Sequence, residues 1–321
     1  MPRALTGCGT ALVTPFTAQG DVDEAALRRL VAWQIAEGVH FLVPCGSTGE
    51  AATLSAAEHR RVVEITVETA EGRVPVVAGA GTNDTARAIA LSREMQAAGA
   101  THLLHVSPAY NKPPQRGIIA HFRAIADAVE LPIVVYNVPG RTASNIEART
   151  TLTLAEHPRI VAIKEASGNL AQVTTILRER PAEFTVLSGD DALTLPIMAA
   201  GGEGVISVVS NATPRLMARL VDLCASGDFP AARQLAMRLT PWFEAAFIDS
   251  NPIPVKAALA RMGKIQNHLR LPWCRWPSTT TRRWRQPSLR PEPFPRDDSF
   301  ACNACRAHRY PGGHAARRGA A

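Results

Sequence analysis

The sequence predicts an α/β protein built as a (β/α)8 TIM barrel with an appended C-terminal helical region. The first observation is that eight short apolar runs alternate with eight segments of helical character. The second is their spacing of about 25 to 30 residues, which fits one strand and one crossover helix per unit. The third is size, because 321 residues with 46% hydrophobic content can form one large barrel.

The predicted strands and helices follow each other in strict alternation. The strands are predicted at residues 9–14, 40–45, 74–80, 101–107, 132–138, 160–166, 184–188 and 204–209. The helices are predicted at residues 22–37, 55–71, 84–98, 115–129, 146–156, 169–180, 191–200 and 213–225. Ser55 with Glu58 three positions later is a helix-capping pattern. An open doubly wound sheet is the alternative fold, but Gly79-x-Gly81 is only a fragment of the dinucleotide-binding pattern.

Two more helices are predicted after the eighth unit, at residues 228–247 and 252–266. The second opens with Asn251-Pro252-Ile253-Pro254, which suits a helix start because proline is favoured in the first turn. We therefore predict a catalytic barrel over residues 1–225, a helical region over residues 226–272 and a tail over residues 273–321.

The positive charge of the chain is concentrated in that tail. Residues 273–321 contain ten arginines and three acidic residues, whereas residues 1–272 contain 25 basic and 25 acidic residues. The body is therefore neutral, and its charge does not predict a specific nucleic-acid partner. The tail is rich in proline and arginine without helical or strand periodicity, so we predict that it is disordered. One hypothesis is that a frameshift after Pro272 produced it.

The remaining composition predicts a protein of the cytoplasm without a metal. No run of eighteen apolar residues and no signal peptide are present. The cysteines of the body have no disulfide-type spacing, which fits a reducing compartment. In the tail, Cys302-x-x-Cys305 with His308 and His314 resembles a zinc-binding pattern, but we interpret it as a chance occurrence.

Lys164 is the first candidate for chemistry. It stands in the apolar run Val161–Ile163 and is one of only four lysines among 35 lysine and arginine residues. A buried ammonium is costly, and lysine, unlike arginine, can lose its proton and attack a carbonyl. The pattern therefore suggests a Schiff-base lysine. The alternative is a lysine whose head group reaches a carboxylate such as Glu165.

Other polar residues follow neighbouring strands, at the end of the barrel where active sites lie. The loop of residues 46–49 precedes a predicted helix and offers two hydroxyls and glycine-flanked N–H groups, which suit an anion. Tyr136 ends the fifth strand and could transfer protons there, although a lone tyrosine is more often core. Arg141 lies in a Pro-Gly turn and could bind a carboxylate, although a surface arginine is the default interpretation.

Three motifs together resemble the dihydrodipicolinate synthase and N-acetylneuraminate lyase family of class I aldolases, over residues 7–272. They stand in the family's order and spacing: Gly46-Ser47-Thr48-Gly49-Glu50, Tyr136-Asn137-Val138-Pro139-Gly140-Arg141-Thr142 and Ile163-Lys164-Glu165-Ala166-Ser167-Gly168-Asn169. The resemblance implies that Lys164 forms an imine with pyruvate, and that Gly46 belongs to the loop that binds it.

The resemblance also implies roles for residues on other strands. Ser47 and Thr48 would bind the pyruvate carboxylate and relay protons, and Tyr136 would be the general acid and base. Tyr110 would be inserted from a neighbouring subunit to complete the relay. Ile206 matches the position on the eighth strand whose main-chain carbonyl faces the substrate.

The form of the arginine motif resembles the synthase branch of the family, in which Arg141 would hold the carboxylate of L-aspartate 4-semialdehyde. The implied reaction is condensation of this aldehyde with pyruvate, without a metal or organic cofactor. A homotetramer built from tight dimers is implied as well. The alternative is a related pyruvate aldolase or dehydratase that acts on sialic acid, a 2-keto-3-deoxy sugar acid or hydroxyoxoglutarate.

The sequence departs from the family pattern at a catalytic position and at positions where regulated members bind lysine. Ser47 replaces the usual threonine, which keeps the hydroxyl. At the lysine-binding positions, Ala51 replaces a serine, Ala56 a histidine and Ala109 a tyrosine. Arg87 replaces a glutamate, whereas His59 and Asn83 are retained. Because Arg87 inverts the local charge, we predict weak or absent inhibition by lysine.

Overall fold

A computed structural model describes residues 5–276 and contains the predicted barrel. Eight parallel strands form one sheet in the order β2-β1-β8-β7-β6-β5-β4-β3. A parallel bridge between Leu42 and Val76 brings the two outer strands together and closes the ring. The (β/α)8 fold is therefore confirmed, and the doubly wound alternative is excluded.

The strands agree with the prediction in number and order, but β1 begins earlier than predicted, at Gly7, and the strands end before their predicted ends or at them. They are β1 Gly7–Ala11, β2 Phe41–Val43, β3 Val77–Gly79, β4 His102–Val106, β5 Ile133–Asn137, β6 Ile160–Glu165, β7 Thr185–Ser188 and β8 Gly204–Ser207. Residues that were predicted to extend β2 turn away instead, since Cys45 has a φ of 57° that no strand residue adopts. The backbone beyond the strand ends is thus free to form the loops of the site.

The helices cover the outside of the barrel. They are α1 Glu24–Ala36, α2 Ala56–Ala70, α3 Thr85–Ala97, α4 Gln115–Ala128, α5 Pro139–Thr142, α6 Ala148–Ala155, α7 Leu170–Glu179, α8 Thr194–Ala199, α9 Pro214–Ala225, α10 Phe229–Ala246 and α11 Ile253–Arg261. The short α5 replaces the predicted Pro-Gly turn, because Pro139 at its start already has a helical φ. The capping box of Ser55 and Glu58 at the start of α2 is confirmed.

The core has two layers, because side chains alternate between the two faces of each strand. Phe41, Val134 and Leu187 fill the inside of the barrel, whereas Leu42, Ile133 and Ile163 pack outward against the helices. On β6 this alternation places Lys164 on the inner face and Glu165 on the outer face.

The two C-terminal helices belong to the same compact unit as the barrel. α10 packs on α9, and α11 reaches back to the loops at the carboxyl ends of β1 and β2. The division at residue 225 stays a prediction. Residues 277–321 lie outside the described residues. They include most of the tail that was predicted to be disordered and attributed to a frameshift, with its cysteine and histidine pattern.

No helix among residues 5–276 has both the length and the apolar character needed to cross a membrane. Within the same residues, no three histidine, cysteine, aspartate or glutamate side chains lie close enough together to hold a metal ion.

Candidate active site

Lys164 and Tyr136 lie side by side inside the carboxyl end of the barrel. They are paired in the register of β5 and β6, so both side chains emerge at the same height. The Nζ atom of Lys164 lies 4.1 Å from the centroid of the Tyr136 ring. Lys164 is 5% exposed and Tyr136 is 7% exposed. The two residues that the sequence predicted to share a cavity are therefore brought together.

Burial sets the protonation of this pair. It lowers the pKa of Lys164 to about 7; Asp191 partly opposes this, and Arg141 lowers it further. Burial raises the pKa of Tyr136 to about 12, against a smaller lowering by Arg141. Near neutral pH a large fraction of Lys164 is a free amine while Tyr136 keeps its proton. This combination provides a nucleophile beside a proton donor.

The alternative interpretation of Lys164, an ion pair with Glu165, is wrong. The Glu165 carboxylate accepts hydrogen bonds from the side chains of Asn137 and Gln172, at 3.1 and 3.0 Å, and from the N–H of Ser167 at 2.7 Å. Adjacent residues of a strand point to opposite faces, so Glu165 faces the helices while Lys164 faces the cavity.

The loop after β2 supplies the hydroxyl groups. Residues 47–49 form a single 3₁₀ turn in which Ser47 is exposed and Thr48 is only 3% exposed. A Cβ atom at Gly49 would lie 3.0 Å from the Leu12 carbonyl oxygen, so a larger residue there would crowd the backbone of the neighbouring loop. Gly46 has an ordinary φ of −79°, and a Cβ at this position would meet no described atom within 4 Å. The glycine at position 46 thus leaves open space at the mouth of the barrel.

The loop precedes α2, as predicted, but does not continue directly into it. A second 3₁₀ turn, Ala51–Thr53, follows it, and α2 begins only at Ala56. Glu50 lies between the two turns with a φ of 54°, which prevents a continuous helix. An anion at this loop would therefore contact its hydroxyls and N–H groups and not the N-terminus of α2.

The remaining predicted residues lie around the mouth at different depths. Ile206 on β8 is fully buried in the inner layer of the barrel with Tyr136. Arg141 in α5 is exposed, yet close enough to influence the pKa of both Lys164 and Tyr136. Tyr110 differs from the others, since 90% of its surface is exposed and its φ is 72°. Within this chain its side chain does not join the cavity.

Three residues of the site were missed by the sequence prediction. Asp191 is 2% exposed, and its Oδ2 accepts from the N–H groups of Val208 and Val209. A Cβ atom at Gly189 would lie 3.1 Å from Cε of Lys164, so this glycine makes room for the lysine stem.

The third missed residue is Asn251, which donates a hydrogen bond to the Thr48 hydroxyl. Asp191 follows another aspartate and looks like a surface acid in sequence, and Gly189 and Asn251 look like ordinary turn residues. No sequence signal pointed to their role, because their partners are distant in the chain.

Comparison with known proteins agrees with this geometry. The model of the dihydrodipicolinate synthetase family matches residues 4–286. A 4-hydroxy-tetrahydrodipicolinate synthase of Koribacter versatilis is 54% identical over 269 residues, which are 84% of this chain and 90% of the relative.

Two solved structures have the same fold over most of their length. The dihydrodipicolinate synthase of Aquifex aeolicus has a TM-score of 0.85 at 40% identity, over 88% of this chain and 96% of its own. The enzyme of Cyanidioschyzon merolae with lysine bound has a TM-score of 0.84 at 41% identity, over 86% and 95%. The chain therefore belongs to the dihydrodipicolinate synthetase family.

Proposed function

We propose that this protein is a Schiff-base lyase that condenses pyruvate with L-aspartate 4-semialdehyde to 4-hydroxy-tetrahydrodipicolinate, in diaminopimelate and lysine biosynthesis. The observation that carries the proposal is the buried Lys164, whose pKa is lowered to about 7, beside the protonated Tyr136. The relatives named as 4-hydroxy-tetrahydrodipicolinate synthase specify the reaction, and favour it over the aldolases of sugar acids.

The chemistry begins at the lysine. The Nζ atom of Lys164 attacks the keto carbon of pyruvate, and loss of water gives an imine. The imine nitrogen withdraws electrons, so a proton leaves the methyl group and an enamine forms. The enamine carbon then bonds to the aldehyde carbon, whose oxygen takes up a proton. The amino group of the semialdehyde finally replaces Nζ of Lys164 at the imine carbon, which closes the ring of the product and frees the lysine. The imine itself acts as the electron sink, so the steps need no metal or organic cofactor.

The site residues have complementary roles in this proposal. The loop of Gly46, Ser47 and Thr48 binds the pyruvate carboxylate, since its hydroxyls lie at the mouth of the barrel beside open space. Tyr136 transfers the protons. Arg141 holds the carboxylate of the semialdehyde, and the main-chain carbonyl of Ile206 faces the substrates.

Trapping tests the proposal directly. Pyruvate with borohydride should reduce the imine and leave an adduct on the Lys164 peptide, whereas Lys164→Arg should give no adduct and no turnover, since its guanidinium stays protonated. The control without pyruvate should stay unmodified. A panel of aldehydes should show L-aspartate 4-semialdehyde as the best acceptor. Folded wild-type protein without an adduct would contradict the proposal.

We infer that the protein is a homotetramer of tight dimers in which Tyr110 completes the site of a neighbouring subunit. The support is its 90% exposure at the barrel mouth, which is unusual for tyrosine. Mixing Lys164→Arg subunits with inactive Tyr110→Phe subunits should restore activity, because hybrid sites combine an intact Lys164 with an intact Tyr110. No restoration in proven hybrids would contradict this arrangement.

We also propose that lysine inhibits this enzyme weakly or not at all. In the structure Asn83 already donates to the Ala109 carbonyl at 3.2 Å, and buried His59 hydrogen-bonds the Gly79 carbonyl at 2.8 Å. Arg87 is exposed at the start of α3. An inhibition titration should show little effect of millimolar lysine, and clear inhibition at sub-millimolar lysine would contradict the proposal. The cytoplasmic location stays a prediction.

A further inference from the structure

A segment of the C-terminal region enters the active site from 203 residues away in sequence. Asn251 lies between α10 and α11 and is 5% exposed. Its side-chain Nδ2 donates to Oγ1 of Thr48 at 2.8 Å. Its backbone carbonyl accepts from Nη2 of Arg141 at 3.5 Å. One residue therefore contacts both groups that are proposed to bind the carboxylates of the two substrates.

An ion pair anchors this segment beneath the loop. Nζ of Lys256 in α11 donates to Oε1 of Glu50 at 2.6 Å and to the Thr14 carbonyl at 2.8 Å. Lys256 and Glu50 are both fully buried. The second carboxylate oxygen of Glu50 accepts from the N–H of Arg270 at 3.1 Å. Since Glu50 directly follows the turn that carries Thr48, the position of Asn251 relative to that turn is fixed.

The direction of the hydrogen bond from Asn251 has a chemical consequence. A threonine hydroxyl has one proton to donate and two lone pairs to accept. When the Asn251 amide donates to one lone pair, the Thr48 proton cannot point back at that N–H group and is available to another acceptor. The carboxylate of pyruvate is such an acceptor.

We propose that Asn251 is a positioning residue, which directs the Thr48 hydroxyl proton toward the pyruvate carboxylate and joins that subsite to Arg141. This inference rests on the proposed function, because it assumes that Thr48 binds pyruvate. It assigns the C-terminal segment a part in substrate binding, in addition to its packing against the barrel.

Asn251→Asp separates this role from packing, because aspartate has nearly the same shape and its ionised side chain can only accept. The Thr48 hydroxyl would then donate to Asp and withdraw its proton from the substrate. We expect the KM for pyruvate to rise by roughly tenfold or more, the scale of one hydrogen bond to a charged group. The kcat should change less. Gln266→Glu is the matched control, an amide-to-carboxylate change at an exposed residue of the C-terminal region, and should leave both constants unchanged.

A double-mutant cycle shows whether Asn251 acts through Thr48, and it also decides the case if Asn251→Asp does not fold. Asn251→Ala should raise the pyruvate KM in the wild-type background and have no further effect in Thr48→Val, because the hydroxyl that it orients is gone. Thermal unfolding of each variant shows that the comparison is made on folded protein.

The outcomes distinguish the inference from the function on which it rests. An unchanged pyruvate KM in folded Asn251→Asp, or additive effects in the cycle, would overturn the positioning role while borohydride trapping on wild-type Lys164 still supports the reaction. Failure of wild-type protein to form the pyruvate adduct would overturn both. A raised KM with non-additive coupling to Thr48 supports the inference.

Discussion

At the scale of single residues, the lowered pKa of Lys164 comes from its burial inside the barrel. Lysine has an ordinary pKa of 10.5, and burial inside the barrel lowers it to about 7. Asp191 opposes the shift but has its own pKa raised to about 6 by burial. The carboxylate of the adjacent residue, Glu165, is on the other face of β6 and does not hold the proton. The barrel thus leaves a large fraction of Lys164 as a free amine near neutral pH, as the proposed function requires.

The rate of imine formation should therefore depend on pH with one rising limb. The reactive form is the neutral amine, so the rate of trapping with pyruvate should rise about tenfold per pH unit below pH 7 and become constant above about pH 8. Tyr136, with a pKa of about 12, should add no falling limb below about pH 10. A single-turnover trapping profile measures this. A midpoint near the ordinary lysine value would contradict it.

Gly189 is a second residue whose identity is set by Lys164. An added Cβ would lie 3.1 Å from both Cγ and Cε of the lysine and 2.7 Å from the Cβ of Ala166. Gly189→Ala should displace the lysine stem and lower kcat by roughly tenfold or more, since misplacing a reacting group by 1 Å costs about a hundredfold. Gly140→Ala is the control, because a Cβ there meets no described atom within 4 Å. Equal activity of the two variants would contradict this prediction.

At the scale of elements, a polar contact on the outer faces of β5 and β6 holds Tyr136 and Lys164 in register. Asn137 directly follows Tyr136, and Glu165 directly follows Lys164, so the amide and the carboxylate meet behind the cavity. Gln172 of α7 donates to the same carboxylate. This contact fixes the strands and the first helix after them as one unit, and it explains why an acid stands in an apolar strand.

Glu165→Gln should destabilise this unit, because its new NH₂ group would face donors from Asn137, Gln172 and the Ser167 N–H. One unsatisfied buried donor costs about 1–3 kcal/mol of unfolding free energy. Glu156→Gln is the matched surface control, since its side chain is 70% exposed. Urea unfolding of the two variants measures the difference. A loss equal to that of the control would show that the contact does not stabilise the strands.

At the scale of the whole molecule, several buried histidines make the fold sensitive to acid. Burial lowers the pKa of His102 to about 4 and that of His105 to about 3, and the pKa of both His59 and His121 is lowered as well. The unfolded chain binds these protons near pH 6.5, so stability is lost as pH falls below that value. Asp191, whose pKa is raised, has the opposite effect on stability, but it is a single group against these four histidines.

His105→Gln should reduce this acid sensitivity. Each histidine that stays neutral in the fold contributes a slope of about 1.4 kcal/mol per pH unit between its unfolded and folded pKa values. Glutamine has no such titration and can still meet the Ser92 hydroxyl, which lies 3.1 Å from His105. Urea unfolding at about pH 6 and pH 4.5 gives the slope for both proteins. The same slope in both would show that His105 is not the responsible group.

The sequence by itself determined the barrel, the strand that carries Lys164 and most of the residues at the mouth of the barrel. Periodicity and spacing are local properties, and the motifs around Ser47, Tyr136 and Lys164 are contiguous in the chain. The sequence did not predict the short helix that contains Arg141 or the second 3₁₀ turn after Thr48. Pro139 starts the helix and the left-handed Glu50 separates the two turns, and each affects too few residues to give a periodic pattern.

Only the tertiary structure decided which side chains surround the lysine. Whether Lys164 pairs with Glu165 depends on which face of β6 is turned inward, and the structure excludes that pair. Asp191, Gly189 and Asn251 come from other units of the barrel or from beyond it. Their contacts form only when the ring closes and α11 returns over the loops, and no local pattern records a partner that is 200 residues away.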